Sequence, residues 1–158
     1  MGIEDFRVKI VSTRQLADCV ARLTECGLLA YSTAHALDGE VMMRAEGRDF
    51  IIEAEVSSYA DRTSISIRFA LCTAPSVDNH FIETVMCLVG DADVSTVSVD
   101  GDATIEPYSV EMAQKLRDII EASIPARRNE WKSVFGTETR RLTPDEAIRF
   151  YLTRTGND

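Results

Sequence analysis

Residues 49–71, DFIIEAEVSSYADRTSISIRFAL, contain two stretches in which apolar and polar side chains alternate along the chain. Alternation with a period of two is typical of a β-strand that buries one face and exposes the other. The apolar positions are Phe50, Ile52, Ala54 and Val56 in the first stretch and Ile65, Ile67, Phe69 and Leu71 in the second. Only residues 59–62 separate the two stretches, whereas a parallel crossover needs a dozen or more residues. The segment therefore predicts an antiparallel pair of strands.

Further strands extend this pair into a larger sheet. Asp38-Gly39 and Asp100-Gly101 are turn signatures, because these residue types tolerate the positive φ of a tight hairpin. Near the N-terminus, Phe6, Val8 and Ile10 alternate with basic residues, which is again the period of a strand. The predicted strands are 5–11, 28–37, 40–46, 49–58, 63–72, 94–99 and 102–106. They form a meander, a separate Asp-Gly hairpin and an additional N-terminal strand.

Apolar residues at helical spacing predict several amphipathic helices between and after these strands. The predicted helices are 13–26, 77–89, 110–124 and 126–135, with a last one that begins at Thr143. Ser12 with Gln15, and Thr143 with Glu146, have the spacing of capping boxes. Pro125 is expected to kink or end the third helix. The fold class that follows is α+β, an antiparallel sheet packed with amphipathic helices and followed by a helical C-terminal tail.

Composition favours one main domain. The chain has 158 residues, of which 45% are hydrophobic, and a chain of that size can bury a sufficient core without a disulfide or a metal. We assign residues 1–135 to a single α+β domain and residues 136–158 to a linker and a short C-terminal helix. The linker 137–142 contains Arg140-Arg141 and few residues that could pack, so it is expected to be a flexible joint.

Charge and hydropathy disfavour two classes of partner. Seventeen basic against 26 acidic side chains give a net charge of −9, and the acidic residues predominate before Pro125. Such a surface repels phosphate, so no nucleic-acid partner is expected. No apolar run is long enough to cross a bilayer, and the acidic N-terminus lacks the order of a signal peptide. A cytoplasmic protein without a membrane partner is expected.

The four cysteines lie inside apolar patterns and form no Cys-x-x-Cys pair. We expect small buried thiols at Cys19, Cys26, Cys72 and Cys87, and neither a metal nor another cofactor.

The sequence also lacks the usual signals of an enzyme. It contains no dinucleotide-binding, P-loop or nucleophile-elbow motif. The best acid–base set is Asp78, His80 and Glu83, whose spacing at the start of a helix does not bring all three to one face. Acidic residues there also stabilise the positive end of the helix dipole. His35, in a predicted strand, is interpreted as a structural residue, so no catalytic residue is predicted.

Four residues are candidates for contact with a protein partner. Met42 and Trp131 are of types enriched at adaptable or energetically important interfaces, although packing in the core is the alternative. Because neighbouring strand residues face opposite sides, Met42 lies on the outer face if Met43 is in the core. Arg127 and Arg128, like Arg140 and Arg141, would bind an acidic partner or the acidic body of the chain itself, or form a solvated surface.

The order of helix, meander, helix, Asp-Gly hairpin and helix resembles the YbjN-like proteins and the related class of type III secretion chaperones. The residues that carry the resemblance are 16–27, 40–46, 49–58, 63–72, 77–89, 94–106 and 110–124. The resemblance spans about residues 13–135, and strand 5–11 and the tail after Gly136 are additional to it. It implies a non-enzymatic, dimeric module, chaperone-like or regulatory, that binds segments of partner proteins or influences their stability.

An alternative interpretation starts from the additional first strand. A β-α-β-β beginning is found in ferredoxin-like and ACT-like domains, and it would favour a small-ligand sensor. The position of strand 5–11 distinguishes the two interpretations. A central position favours the sensor, whereas a peripheral position favours the chaperone-like module.

Overall fold

The computed structural model describes residues 5–31, 39–89, 93–101, 103–105 and 110–155. Its strands are β1 (Asp5–Ser12), β2 (Leu29–Tyr31), β3 (Glu40–Glu46), β4 (Ile51–Tyr59), β5 (Arg62–Ala70), β6 (Val94–Val99) and β7 (Ala103–Ile105). Its helices are α1 (Leu16–Glu25), α2 (Val77–Val89), α3 (Ala113–Phe135) and α4 (Pro144–Thr155), with a 3₁₀ turn at Val110–Met112. The predicted α+β class, including the C-terminal helix, is confirmed.

The strands form one sheet in the order β2-β3-β4-β5-β1-β6-β7, and every neighbouring pair is antiparallel. Strand β1 lies inside the sheet, where Val8 is paired with Ile67 of β5 and with Val99 of β6. The first strand is therefore central: it joins the meander to the second hairpin.

The inner face of the sheet, which packs against α1 and α2, carries the main core. Phe6, Phe69 and Phe81 bring β1, β5 and α2 together, with ring centroids 4.9 to 5.9 Å apart. All three rings are fully buried, and burial of each contributes about 1.5–3 kcal/mol. Met43 is likewise buried, and Met42 lies half-buried on the outer face, as alternation predicts.

Of the two predicted Asp-Gly turns, only Asp100-Gly101 lies wholly within the described residues, because Asp38 lies outside them. Asp100 and Gly101 both have positive φ and connect β6 to β7, as predicted. Of the predicted strand 28–37, residues Leu29–Tyr31 form the strand β2, and residues 32–37, including His35, lie outside the described residues. The predicted start of this strand was early by one residue, since Leu28 precedes β2.

Helix α1 begins later than predicted, at Leu16 rather than residue 13. Ser12 does not cap it, because Ser12 ends β1 and its hydroxyl donates to the Asp93 carbonyl oxygen at 3.1 Å. The same hydroxyl accepts the backbone N–H of Arg14 at 3.1 Å. Ser12 therefore connects the end of β1 to the residue before β6, and Gln15 is the N-cap residue of α1 without a side-chain capping hydrogen bond.

Helix α3 runs from Ala113 to Phe135, so Pro125 does not end the helix, and the predicted helices 110–124 and 126–135 are parts of one helix. A proline inside a helix costs about 3 kcal/mol. Buried residues on both sides of it offset this cost: Ile120 and Ile124 before it, Arg128 and Trp131 after it. Among the described residues, no helix has the length and apolarity needed to cross a membrane.

Residues after Gly136 pack against the same body. The capping box at the start of α4 is confirmed, since Thr143 N–H donates to a Glu146 carboxylate oxygen at 2.8 Å and Glu146 N–H donates to the Thr143 hydroxyl at 3.1 Å. The linker is held rather than loose: Arg140 N–H donates to the Cys72 carbonyl oxygen at 2.7 Å, and Arg141 contacts Glu46 at 3.0 Å. The expected flexible joint is thus tied to the sheet.

Candidate functional site

A cavity of about 610 Å³ lies between the inner face of the sheet, the end of α1 and one face of α2. Its volume falls within the range of roughly 300–1,000 Å³ that is usual for small-molecule sites. The lining residues are Cys26 and Gly27 after α1, Ala45, Glu46 and Ile52 from the sheet, Phe50 from the turn between β3 and β4, and Asn79, His80, Glu83, Thr84 and Cys87 from α2. We take this cavity as the candidate site.

One face of α2 supplies most of the polar groups. His80, Glu83, Thr84 and Cys87 occur at positions i, i+3, i+4 and i+7, which a helix brings to the same side. Within this set, the Thr84 hydroxyl donates to the His80 carbonyl oxygen at 2.7 Å. Of the acid–base set expected from the sequence, His80 and Glu83 line the cavity and Asp78 does not.

Phe50, in the turn between β3 and β4, stacks on the ring of His80. The two rings stack with centroids 4.7 Å apart and planes inclined by 28°. Gly47 makes this arrangement possible, because a Cβ atom at Gly47 would overlap the Phe50 ring. The turn itself is closed by a hydrogen bond from Gly47 N–H to the Phe50 carbonyl oxygen at 3.0 Å. A flat aromatic surface therefore forms one wall of the cavity.

Two carboxylates give the lining an acidic character that arginines partly neutralise. Glu83 contacts Arg117 of α3 at 2.9 Å, and Glu46 contacts Arg44 at 3.3 Å and Arg141 at 3.0 Å. Each carboxylate remains substantially exposed, so a ligand can approach it. The two carboxylates can therefore accept hydrogen bonds from a ligand or contact a cationic group.

Cys26 and Cys87 form a disulfide that links the C-cap of α1 to the last turns of α2. The expectation of four free thiols was therefore wrong for these two, and it holds for Cys19 and Cys72, which are free and buried. The pairing was missed because the two cysteines are separated by 61 residues, and nothing local in the sequence links them.

Asp78 points away from the cavity and pairs with Arg128 of α3 at 2.6 Å. Burial raises the pKa of Asp78, although the Arg128 charge opposes that shift, and burial lowers the pKa of Arg128. The guanidinium also lies 5.6 Å from the centroid of the Phe69 ring. Arg128 is thus part of the interior and connects α3 to α2 and the sheet.

The other predicted contact residues also have partners within the chain. Trp131 is only 3% exposed and lies between Phe135 and Tyr151, with centroids 4.3 and 4.5 Å away. Arg127 forms ion pairs with Asp100 and Glu130. Of the four candidates, Met42 is half-buried on the outer face, where it pairs with Tyr31 of β2. The structure does not bring these four residues together into one surface.

An ionic cluster on the outer face was also missed. The alternation of β4 predicts that Glu53 faces solvent, yet Glu53 is only 3% exposed. It lies directly between Arg44 of β3 and Arg68 of β5 in the strand register, with contacts of 3.0 and 3.1 Å. Arg68 continues to Asp145 of α4 at 3.3 Å, so this cluster helps to hold the tail. Glu53 is buried because the register of the sheet places it between two arginines of neighbouring strands, and this register depends on the whole sheet.

Within the described residues, no group of three or more histidine, cysteine or acidic side chains is arranged to hold a metal ion. No protein-family model matches the chain, and neither a curated protein nor a solved structure matches it.

Proposed function

We propose that the chain is a non-enzymatic module that binds a small molecule in the cavity between α1, α2 and the sheet. The cavity carries this proposal, because it combines a suitable volume with an aromatic wall and a few convergent polar groups. The central position of β1 also favours the sensor interpretation over the chaperone-like one. In addition, Trp131 is buried and Arg128 pairs with Asp78, which weakens the case for contact with a partner protein through either residue.

The lining indicates the chemistry of the ligand. Phe50 and His80 offer stacked rings, and Ala45 and Ile52 add apolar surface, so a planar apolar group fits this side. Glu46 and Glu83 can accept hydrogen bonds or attract a positive charge. We therefore expect a planar molecule that is neutral or carries an amine, and we expect phosphates and carboxylic acids to bind poorly.

A thermal-shift screen of planar neutral, cationic and anionic compounds tests the proposal. Ligands of the first two classes should raise the melting temperature in a concentration-dependent way, because they bind the folded state. Ala45→Phe should abolish the shift by filling the cavity. Ala21→Phe is the matched control, since it places the same ring at an exposed position of α1. A screen without hits, or shifts that survive Ala45→Phe, would overturn the proposal.

A second candidate function is self-association through the edge strand β2, consistent with the dimer that the chaperone resemblance implies. Among the described strands, β2 has a neighbour on one side only, and its Leu29 is 68% exposed. Tyr31 and Met42 continue this surface on the outer face. Two copies could pair through this edge by antiparallel strand addition. Light scattering should then show a dimer that Leu29→Asp converts to a monomer, and a wild-type monomer at high concentration would exclude it.

A further inference from the structure

The Cys26–Cys87 disulfide forms part of the cavity wall and is within reach of small molecules. Both residues are only partly buried, and both line the cavity. The bond joins the end of α1 to α2, two of the three elements that enclose the space. A compound that enters the cavity therefore lies against both residues of the disulfide.

The two remaining cysteines differ from this pair in burial and in their position relative to the cavity. Cys19 and Cys72 are 1% and 2% exposed and take no part in the cavity lining. Burial raises the pKa of the Cys19 thiol, and it raises the pKa of the Cys72 thiol to about 11. Because the thiolate is the reactive form, neither residue competes in exchange at neutral pH. Thiol chemistry in the folded chain is thus concentrated at the cavity.

We propose that Cys26–Cys87 is an exchangeable disulfide that reacts with low-molecular-weight thiols entering the cavity, and that its redox state regulates ligand binding there. The regulatory half of this inference rests on the proposed function, whereas the exchange reaction does not.

The reaction requires only two equivalents of a small thiol. The thiolate of the first attacks the sulfur of one cysteine, and the other cysteine sulfur leaves as a thiolate that takes a proton from solvent. A second small thiolate then attacks the mixed disulfide. The products are the protein dithiol and one small-molecule disulfide, so two electrons pass from the two thiols to the protein. The reverse sequence, with the small disulfide as oxidant, restores the bond.

Loss of the bond changes the wall of the cavity. Cys19 and Leu23 anchor α1 in the core, but the C-terminal end of the helix is tied to α2 by the disulfide and by a hydrogen bond from Arg22 to the Cys87 carbonyl oxygen at 3.3 Å. Reduction removes the covalent connection and leaves non-covalent contacts such as this hydrogen bond. The end of α1 can then move away from α2, which alters the space between them.

Exchange is tested by equilibrating the full chain with mixtures of reduced and oxidised glutathione, blocking free thiols with a maleimide and mapping them by mass spectrometry. We expect Cys26 and Cys87 to change together from oxidised to reduced across the series, while Cys19 and Cys72 stay unlabelled until the chain is unfolded. A Cys72→Ala variant should titrate as the wild type does. A pair that remains fully oxidised in reduced glutathione, or fully reduced in oxidised glutathione, would overturn the inference.

Regulation is tested with Nile red, a neutral planar dye, added to the oxidised and the reduced chain. We expect its dissociation constant to differ at least about fivefold between the two states, within the usual range of coupling between sites. Cys26→Ser should bind as the reduced chain does, regardless of the buffer. Equal affinity in both states would overturn regulation and leave the ligand-binding function intact. Absence of dye binding in both states would overturn the proposed function and regulation with it, while the exchange result would stand.

Discussion

The ion pair between Asp78 and Arg128 should respond very differently to the loss of each partner. The Arg128 side chain is 7% exposed, so Asp78→Ala leaves a cation that cannot reach water easily. An uncompensated buried charge of this kind costs about 3–5 kcal/mol, and we expect about 3 kcal/mol here. For a domain of this size, that loss corresponds to a fall of roughly 6–12 °C in melting temperature.

The opposite substitution, Arg128→Met, should cost only about 1–2 kcal/mol. The Asp78 side chain is 28% exposed and can be hydrated when its partner is removed. It also lies in the first turn of α2, where the helix dipole favours a negative charge. Methionine keeps most of the apolar stem that packs in the interior, so little volume is lost.

Urea unfolding at pH 7, followed by circular dichroism, measures both changes in the free energy of unfolding. Arg117→Met is the matched control, because Arg117 also joins α3 to α2 but pairs with the exposed Glu83. It should cost less than about 1 kcal/mol. If Asp78→Ala costs no more than Arg128→Met, the asymmetry argued from burial is refuted.

The pH dependence gives an independent check on the same pair. Burial raises the pKa of Asp78 in the folded chain, so its contribution to stability is complete below the unfolded pKa of about 4 and is lost as the pH rises through the folded value. Removing Arg128 removes the charge that lowers this pKa. Arg128→Met should therefore lose additional stability relative to the wild type between pH 4 and pH 7, and parallel curves would contradict this.

Three further substitutions test the site and the tail. Gly47→Ala should force the Phe50 ring away from His80 and so change the NMR chemical shifts of the imidazole protons. The free energy of unfolding should change by less than about 1 kcal/mol. Unchanged chemical shifts would contradict the stacked arrangement. Tyr151→Ala should cost about 3 kcal/mol and expose the single tryptophan, and a fluorescence maximum that does not move to longer wavelength would show that α4 is not needed to bury it. Thr143→Ala should cost about 1 kcal/mol by removing the cap, with faster amide exchange confined to the start of α4, and uniform exchange would argue against local capping.

The elements of the fold could be predicted where local pattern and tertiary packing agree. The burial of Ile52, Ala54 and Val56 on the inner face of β4, the positive φ of Asp100 and Gly101, and the capping box at Thr143 all appear in the structure as expected. In each case, the residues that form the signal are close in the sequence and determine the local backbone directly.

Prediction failed where a distant partner decides the outcome. Ser12 has the spacing of a cap, but the Asp93 carbonyl, reached only in the folded sheet, takes its hydroxyl. Pro125 carries the usual signal of a helix end, but buried contacts on both sides keep the helix continuous. A local conformational preference worth a few kcal/mol is overridden by tertiary packing, which the neighbouring sequence does not reveal.

The candidate site was only partly accessible from sequence for the same reason. The i, i+3, i+7 spacing of His80, Glu83 and Cys87 could have indicated a shared helical face. Its significance depends on Phe50 and Cys26, which come from other elements and complete the cavity. Which side of α2 lines the cavity, and which side packs tightly, is determined only when the helices and the sheet come together.

The position of β1 inside the sheet has a consequence for how the chain acquires its structure. The first strand emerges from the ribosome long before either of its neighbours, since β5 and β6 are synthesised much later. Until then, Phe6, Val8 and Ile10 have no sheet to join and remain open to contacts with other molecules. Such long-range pairing slows folding and prolongs the period in which aggregation can occur. A version of the chain truncated before β6 should therefore depend on chaperones more strongly than its length alone suggests.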